Sequence, residues 1–159
     1  MNYINVMDLL LWIDDIAIVC FGFIGGVYFA FSFFVMHSYK KINHLEAIRI
    51  MNSINSVILK SPFMFLFFFS SFIAAILFLK NLISYKIIYN QVLSSLIFLG
   101  GMLLCTATKN VPLNKKLANF NDRTSDPEIE WDYYYKNWIK WNHIRTASCF
   151  VAMVLLVIN

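Results

Sequence analysis

The sequence is poor in charged residues. Only 14% of its 159 residues are Asp, Glu, Lys or Arg, against roughly 25% in an ordinary soluble domain. Hydrophobic residues make up 60% of the chain and include 16 Phe and 8 Tyr. So few charged side chains cannot cover the surface of a soluble domain with that much apolar area. The composition excludes an ordinary water-soluble protein and predicts a membrane protein, and the length leaves no room for a separate soluble catalytic domain.

The usual metal-binding spacings are also missing. The chain contains no Cys-x-x-Cys and no His-x-x-x-His, so we expect neither a metal nor another cofactor. An odd number of cysteines inside apolar stretches is typical of small hydrophobes rather than of a disulfide framework. The three histidines fall on one side of the predicted membrane, which leaves a haem or quinol redox protein as an alternative. These residues are Cys20, Cys105, Cys149, His37, His44 and His143.

Four stretches can supply the roughly 20 residues that a spanning helix needs. They cover residues 16–36, 62–79, 87–108 and 141–158. The last stretch is purely apolar only from Ala147, so as a span it must carry His143 and Arg145. The fold class we predict is all-α, with residues 1–159 forming one transmembrane four-helix bundle that has amphipathic helical extensions on the cytoplasmic side.

The first apolar stretch is predicted to be a retained helix rather than a secretory signal. Its leader contains Asp8, Asp14 and Asp15 but no Lys or Arg, and no small-x-small cleavage site follows it. With four spans, both termini lie on one side of the membrane and the two long connections on the other.

The basic residues predict the orientation. Eleven of the thirteen lie on the two long connections or at their borders, so the positive-inside rule places these connections in the cytoplasm and both termini outside, in the plasma (inner) membrane. Topology and anionic headgroups then explain the net charge of +4. We expect membrane lipid and a lipophilic small molecule as partners, and no nucleic acid. The oligomeric state stays open and includes a homo-oligomer.

Helix start signals occur on both connections. Asn43 and Glu46 have the spacing of a capping box, and an apolar stripe at helical spacing follows them. Ser61 and Pro62 mark either a kink or the start of a new helix. Asp126 precedes Pro127 at the start of a helix that we expect to continue into the fourth span.

Small residues recur four apart in the spans, a pattern that favours close helix packing in lipid. Gly22, Gly26 and Ala30 form one such series, and Gly101 with Cys105 forms a shorter one. We interpret both as helix contacts, with a substrate groove beside the glycines as the alternative.

Polar side chains gather where the spans meet the cytoplasmic face. An unpaired amide or guanidinium at membrane depth costs a few kcal/mol, so we expect these groups to bond one another, carbonyls freed by Pro112, or a ligand. Capping of a broken third helix is the alternative for Asn110 and Asn114, and a headgroup anchor is the alternative for Arg145. The polar residues are Asn52, Asn55, Asn110, Asn114, Asn142, His143 and Arg145.

Four segments resemble the anthrone oxygenase-like family of small integral membrane proteins. Its most specific parts are the Asn-Val-Pro-Leu-Asn and Trp-Asn-His-x-Arg-Thr runs. The resemblance implies a four-helix membrane bundle. In the fungal members with assigned chemistry, it implies oxidation of a polycyclic anthrone to an anthraquinone by dioxygen without an added cofactor. The segments are 22–36 (GFIGGVYFAFSFFVM), 51–63 (MNSINSVILKSPF), 108–118 (TKNVPLNKKLA) and 138–147 (WIKWNHIRTA).

The resemblance also implies site residues. His143 would be the catalytic base, and Arg145 would hold the substrate oxyanion together with asparagines. Aromatic rings, including Tyr135, would stack on the substrate. The function hypothesis is a membrane oxidoreductase acting on a lipophilic aromatic or quinone-like molecule. The alternative is a non-catalytic membrane protein that binds a lipid or small molecule or assists an assembly. The predicted substrate-binding residues are Asn55, Asn110, Asn114, Trp138, Trp141 and Asn142.

Overall fold

The computed structural model describes residues 12–85 and 87–159, and within these ranges the chain forms five helices and no strand. The predicted all-α class is confirmed. The acidic leader before residue 12 and Lys86, both used in the topology prediction, lie outside the described residues. The helices are α1 (Ile13–Lys41), α2 (His44–Ile58), α3 (Pro62–Ile83), α4 (Tyr89–Ala118) and α5 (Pro127–Val157).

Helices α1, α3 and α4 are long and apolar enough to cross a membrane, which marks the chain as a membrane protein. They contain the first three predicted spans, although α1 and α4 extend well beyond the predicted ends. The predicted fourth span, 141–158, forms the C-terminal part of α5, but no 18-residue stretch of α5 reaches the same mean hydropathy. The reason is local, because Asn142, His143 and Arg145 stand together in that part of the helix.

The predicted helix starts are confirmed by their hydrogen bonds. Asn43 Oδ1 accepts from the Glu46 backbone N–H at 2.8 Å and caps α2. Ser61 Oγ accepts from a backbone N–H of the first turn of α3, so Ser61 and Pro62 start a new helix rather than kink an old one. Asp126 caps α5 in the same manner.

The four long helices share one apolar core. Phe21 of α1 stacks on Phe98 of α4 with ring centroids 3.7 Å apart, and Leu77 of α3 and Ala152 of α5 are completely buried beside them. Helix α2 lies across the end of these helices that carries residues 37–61 and 109–140, which we call the connection end. A second core forms there between α1, α2, α4 and α5.

Only some of the glycines lie at close contacts between helices. A Cβ at Gly101 would overlap the side chain of Ser148, and one at Gly25 would lie 3.0 Å from the Cys149 Cβ. These positions therefore let α4 and α1 approach α5 closely. The predicted contact at Gly26 is wrong, because a Cβ there meets nothing within 4 Å.

The third predicted helix does not break at Pro112. Helix α4 contains two π-helical stretches, Leu99–Leu104 and Thr106–Asn110, and then continues as an α-helix over Val111–Ala118. Pro112 comes two residues after the end of the second π-helical stretch, so the hydrogen bond that its missing N–H removes falls where the regular i→i−4 ladder is already interrupted. A π-helical turn also occurs in α1 at Phe31–Val35. Such turns shift which side chains face the neighbouring helices.

Candidate ligand cavity

A cavity of about 280 Å³ opens where the α2–α3 elbow meets α4 and α5. This volume is at the small end of the range for small-molecule pockets, roughly 300–1,000 Å³. All five helices contribute to a wall that is mostly aliphatic and aromatic. The polar and stacking side chains of the lining include Tyr28, Asn55, Thr106, Asn114, Trp138 and Arg145.

Arg145 supplies the only charge among the lining residues. Its side chain is 5% exposed. The guanidinium carbon lies 4.2 Å from the centre of the Tyr28 ring and 5.2 Å from that of Trp138. Nη1 donates to Thr106 Oγ1 at 3.3 Å, and Nη2 donates to Asn142 Oδ1 at 2.5 Å. The guanidinium is therefore held by aromatic faces and neutral oxygens.

No carboxylate neutralises Arg145 within residues 12–85 and 87–159, where Lys116 and Glu130 form the one ion pair. Its Nε is buried and has no hydrogen-bond partner among the described residues. An unpaired charge at membrane depth costs on the order of 3 kcal/mol or more. An anionic or carbonyl oxygen in the cavity would satisfy Nε and offset part of that cost.

Asn142 positions Arg145 and ties α5 to α1. While its Oδ1 accepts from Arg145, its Nδ2 donates to the Tyr28 carbonyl and to Ser32 Oγ, both at 2.7 Å. Ser32 Oγ in turn lies 3.1 Å from Thr146 Oγ1. Ser32 belongs to the π-helical turn of α1. The two helices thus determine together how the guanidinium is oriented.

A second polar group borders the cavity from α2 and α4. Asn114 Oδ1 accepts from the Tyr134 hydroxyl at 2.8 Å and from Trp138 Nε1 at 3.0 Å. The Asn55 side chain interacts with Tyr134, although its Nδ2 makes no hydrogen bond of good geometry with any described residue. Burial raises the pKa of Tyr134, so this phenol is a neutral donor at physiological pH. The Arg145 Nε–H and at least one of the two amide hydrogens of Asn55 are therefore unused.

Half of the predicted site residues lie on this cavity. Asn55, Asn114, Trp138 and Arg145 line it. Arg145 is buried, which argues against the alternative that it anchors lipid headgroups. The other four predicted residues do not line the cavity and are Asn110, Trp141, Asn142 and His143.

These four residues have other surroundings. Asn110 is buried and donates to the Trp138 carbonyl at 3.3 Å, so it joins α4 to α5 rather than capping a helix. Trp141 lies in a separate groove, with the Lys109 ammonium 4.9 Å above its ring. His143 is exposed and packs against Phe33, with ring centroids 5.4 Å apart.

Helix geometry explains why His143 and Arg145 separate. Residues two apart on an α-helix point about 200° apart, whereas residues three apart share a face. Asn142 and Arg145 therefore meet, and His143 faces outward from the same helix. The spacing in the sequence already contained this information.

Sequence reasoning missed Tyr28 and Thr106. Both line the cavity, and each interacts with the other and with Arg145. Each is a polar group within an otherwise apolar span, and that signal could have identified them. For the part of the chain that the structure describes, no three His, Cys, Asp or Glu side chains gather as metal ligands.

The cavity combines flat aromatic faces, apolar walls and two unused donors. It can therefore hold a planar lipophilic molecule that carries a carbonyl, phenolate or enolate oxygen.

The profile of one protein family, described as Anthrone oxygenase, matches residues 51–155, about two thirds of the chain. The matched region includes every polar cavity residue named above except Tyr28. No curated protein and no solved structure matches the chain.

Proposed function

The chain belongs to the anthrone oxygenase family, and from this premise we propose that it oxidises a lipophilic aromatic ketone of the anthrone type with dioxygen and no added cofactor. One observation carries the proposal. Arg145 presents a buried, unneutralised guanidinium with an unused Nε–H at the polar end of an apolar cavity. An enolate oxygen is the kind of ligand that such a group stabilises.

The proposed reaction is balanced without a further reductant. The ring CH₂ opposite the ketone loses a proton, and the resulting enolate delivers electrons to dioxygen. A carbon–oxygen bond forms, and loss of water leaves a second carbonyl. The substrate gives up four electrons and dioxygen accepts four, so one anthrone and one dioxygen yield one quinone and one water.

The chain's own contribution is electrostatic and geometric. Arg145 would stabilise the enolate oxygen, and loss of one such donor typically lowers the rate by about 10² to 10³. The Asn55 amide would donate to a second substrate oxygen. The rings of Tyr28 and Trp138 already contact the guanidinium. Their remaining surface in the cavity would stack on a flat substrate. The apolar walls would hold the hydrocarbon part of the substrate rings.

The proton acceptor is assigned differently from the hypothesis based on the sequence. Neither His nor a carboxylate lines the cavity within the described residues, and we assign proton removal to water, driven by the charge of Arg145. The base role of His143 stays a prediction that its outward position does not favour. Substitution of His143 distinguishes the two assignments.

A non-catalytic binding protein is the second candidate. The hydrogen bonds from Asn142 to Ser32 and to the Tyr28 carbonyl join α5 to α1, and this network favours a structural contribution from Arg145 as well. In that case the cavity would hold a lipophilic molecule without converting it.

Turnover in lipid nanodiscs tests the proposal. The protein receives an anthrone, and quinone formation by absorbance and dioxygen consumption by electrode are measured above the protein-free background. We expect a 1:1 ratio and a loss of about 10²- to 10³-fold in Arg145→Gln. The matched variant Arg123→Gln, at an exposed position, should retain activity. Absence of turnover with bound anthrone would favour the second candidate, and equal activity of the two variants would contradict the role of Arg145.

We also propose that the C-terminal part of α5 crosses the plasma membrane as a fourth span, with the connection end in the cytoplasm. The basic residues of the two connections support this orientation. Single cysteines at Ser125→Cys and Asn159→Cys can be labelled with a membrane-impermeant thiol reagent, since the native cysteines are buried. Labelling at position 159 in intact cells, and at 125 only after permeabilisation, is the expected result. The reverse pattern, or equal accessibility at both positions, would refute this topology.

A further inference from the structure

We infer that the cavity is loaded sideways from the lipid bilayer, through a window bounded by Leu59, Phe68, Ala107 and Val111, and that Ala107 is its gate. The inference rests on the proposed function for the nature of the ligand, a planar lipophilic ketone. The route itself follows from the uneven exposure of the cavity wall.

The four window residues are the exposed members of the cavity lining. Leu59 is 67% exposed and lies at the α2–α3 elbow (residues 59–61), and Phe68 is 60% exposed and lies on α3. Ala107 and Val111 are exposed on α4, one helical turn apart. The lining residues from α1 and α5 are buried or half-buried. The cavity therefore opens on one side, between the elbow and α4.

That side faces lipid by its chemistry. All four side chains are apolar, and α3 and α4 are both helices that can span a membrane. An open apolar groove on α3 is continuous with the window, since it shares Phe68 and Met64 with the cavity. An aqueous opening of this composition would expose a hydrophobic edge to water at a cost proportional to its area. In a bilayer the same edge costs nothing.

Leu59 and Val111 stand at the border of the connection end, and the rest of that end is closed by the second core. Met51, Leu117 and Tyr134 are each at most 1% exposed there. The Asn52 Nδ2 donates to the Leu117 carbonyl at 3.2 Å and fastens α2 to α4 over the cavity. A ligand arriving from that end would have to separate these helices. Entry from the bilayer requires no such opening, and a planar lipophilic ketone is concentrated in the bilayer.

Ala107 is the smallest residue at the window edge, and its position makes the test direct. Larger side chains there should obstruct passage without removing a polar contact. The variants are Ala107→Leu and Ala107→Trp, and the matched control is Ala147→Trp, which places the same side chain at an exposed position of α5 outside the lining. Binding is followed with anthraquinone, a planar ketone that carries no reactive CH₂, dissolved in nanodisc lipid.

A gate slows entry and exit together. We expect the association and dissociation rates to fall in the order Ala, Leu, Trp at position 107, by at least tenfold for Trp, with the Kd changing by less than about threefold. Ala147→Trp should keep both rates. Unchanged rates across the series, or weaker binding without slower dissociation, would overturn the window while leaving the proposed function in place. A failure of anthraquinone to bind the unmodified protein would overturn both.

Discussion

Gly100 and Gly101 are adjacent in α4, and replacing each of them with alanine should change stability in opposite directions. Gly100 faces open space, whereas a Cβ at Gly101 would overlap the Ser148 side chain of α5. Alanine is favoured over glycine inside a helix by about 0.8–1 kcal/mol, so Gly100→Ala should stabilise the fold by up to that amount. The overlap at Gly101 involves the Ser148 Cβ as well as its hydroxyl, so a rotamer change cannot relieve it.

The expected cost of Gly101→Ala follows from overpacking, which typically destabilises by about 1–3 kcal/mol. Both variants gain the same helix propensity, so the two should differ by the overpacking cost alone, about 1–3 kcal/mol. For a chain of this length, 1 kcal/mol corresponds to roughly 2–4 °C in Tm, so the separation should be roughly 2–12 °C. Displacement of α4 should also weaken the bond from Arg145 to Thr106, which is already 3.3 Å long, and lower turnover.

Thermal unfolding of both variants in identical nanodiscs, followed by circular dichroism, provides the measurement. Adding Ser148→Gly to Gly101→Ala removes the overlapping atoms and should restore most of the lost stability. Equal Tm values for Gly100→Ala and Gly101→Ala would refute the close packing of α4 on α5. So would a failure of the second substitution to rescue the first.

Three further predictions concern the site. His143→Ala should retain turnover within about threefold, because the imidazole lies outside the cavity; a loss of a hundredfold in kcat would reinstate it as the base. Asn142→Asp places a carboxylate beside Arg145 and should lower turnover by about 10²-fold, because the carboxylate neutralises the guanidinium. The control Asn137→Asp, at a site away from the cavity, should keep its turnover. Similar losses in both variants would argue against this mechanism. Burial raises the pKa of Tyr134 above its value in the unfolded chain, so the contribution of this phenol to stability is complete below about pH 10 and is lost as the pH rises further. Tyr134→Phe should reduce this alkaline loss of stability in pH-dependent unfolding. An unchanged alkaline profile would contradict the assignment to Tyr134.

The local features of the fold could be predicted because they depend on neighbouring residues. Asn43, Ser61 and Asp126 cap helices as their side-chain chemistry requires, and long apolar runs predict α1, α3 and α4. The site was predicted only in part. Arg145 and Asn55 were identified as polar groups at membrane depth, but which groups of different helices meet depends on helix rotation. The structure places His143 on an exposed face of α5, away from Arg145.

The sequence by itself determined that this protein belongs in a membrane and where its capped helices begin, because apolar composition and capping are local properties. Only the tertiary structure decided which polar groups of different helices meet. The π-helical turns rotate Ser32 and Thr106 toward α5, and the contact at Gly101 sets the distance across which Arg145 reaches its partners. Both depend on atoms of helices that are far apart in the chain, so no local pattern could predict that the guanidinium would face the cavity without a counter-charge.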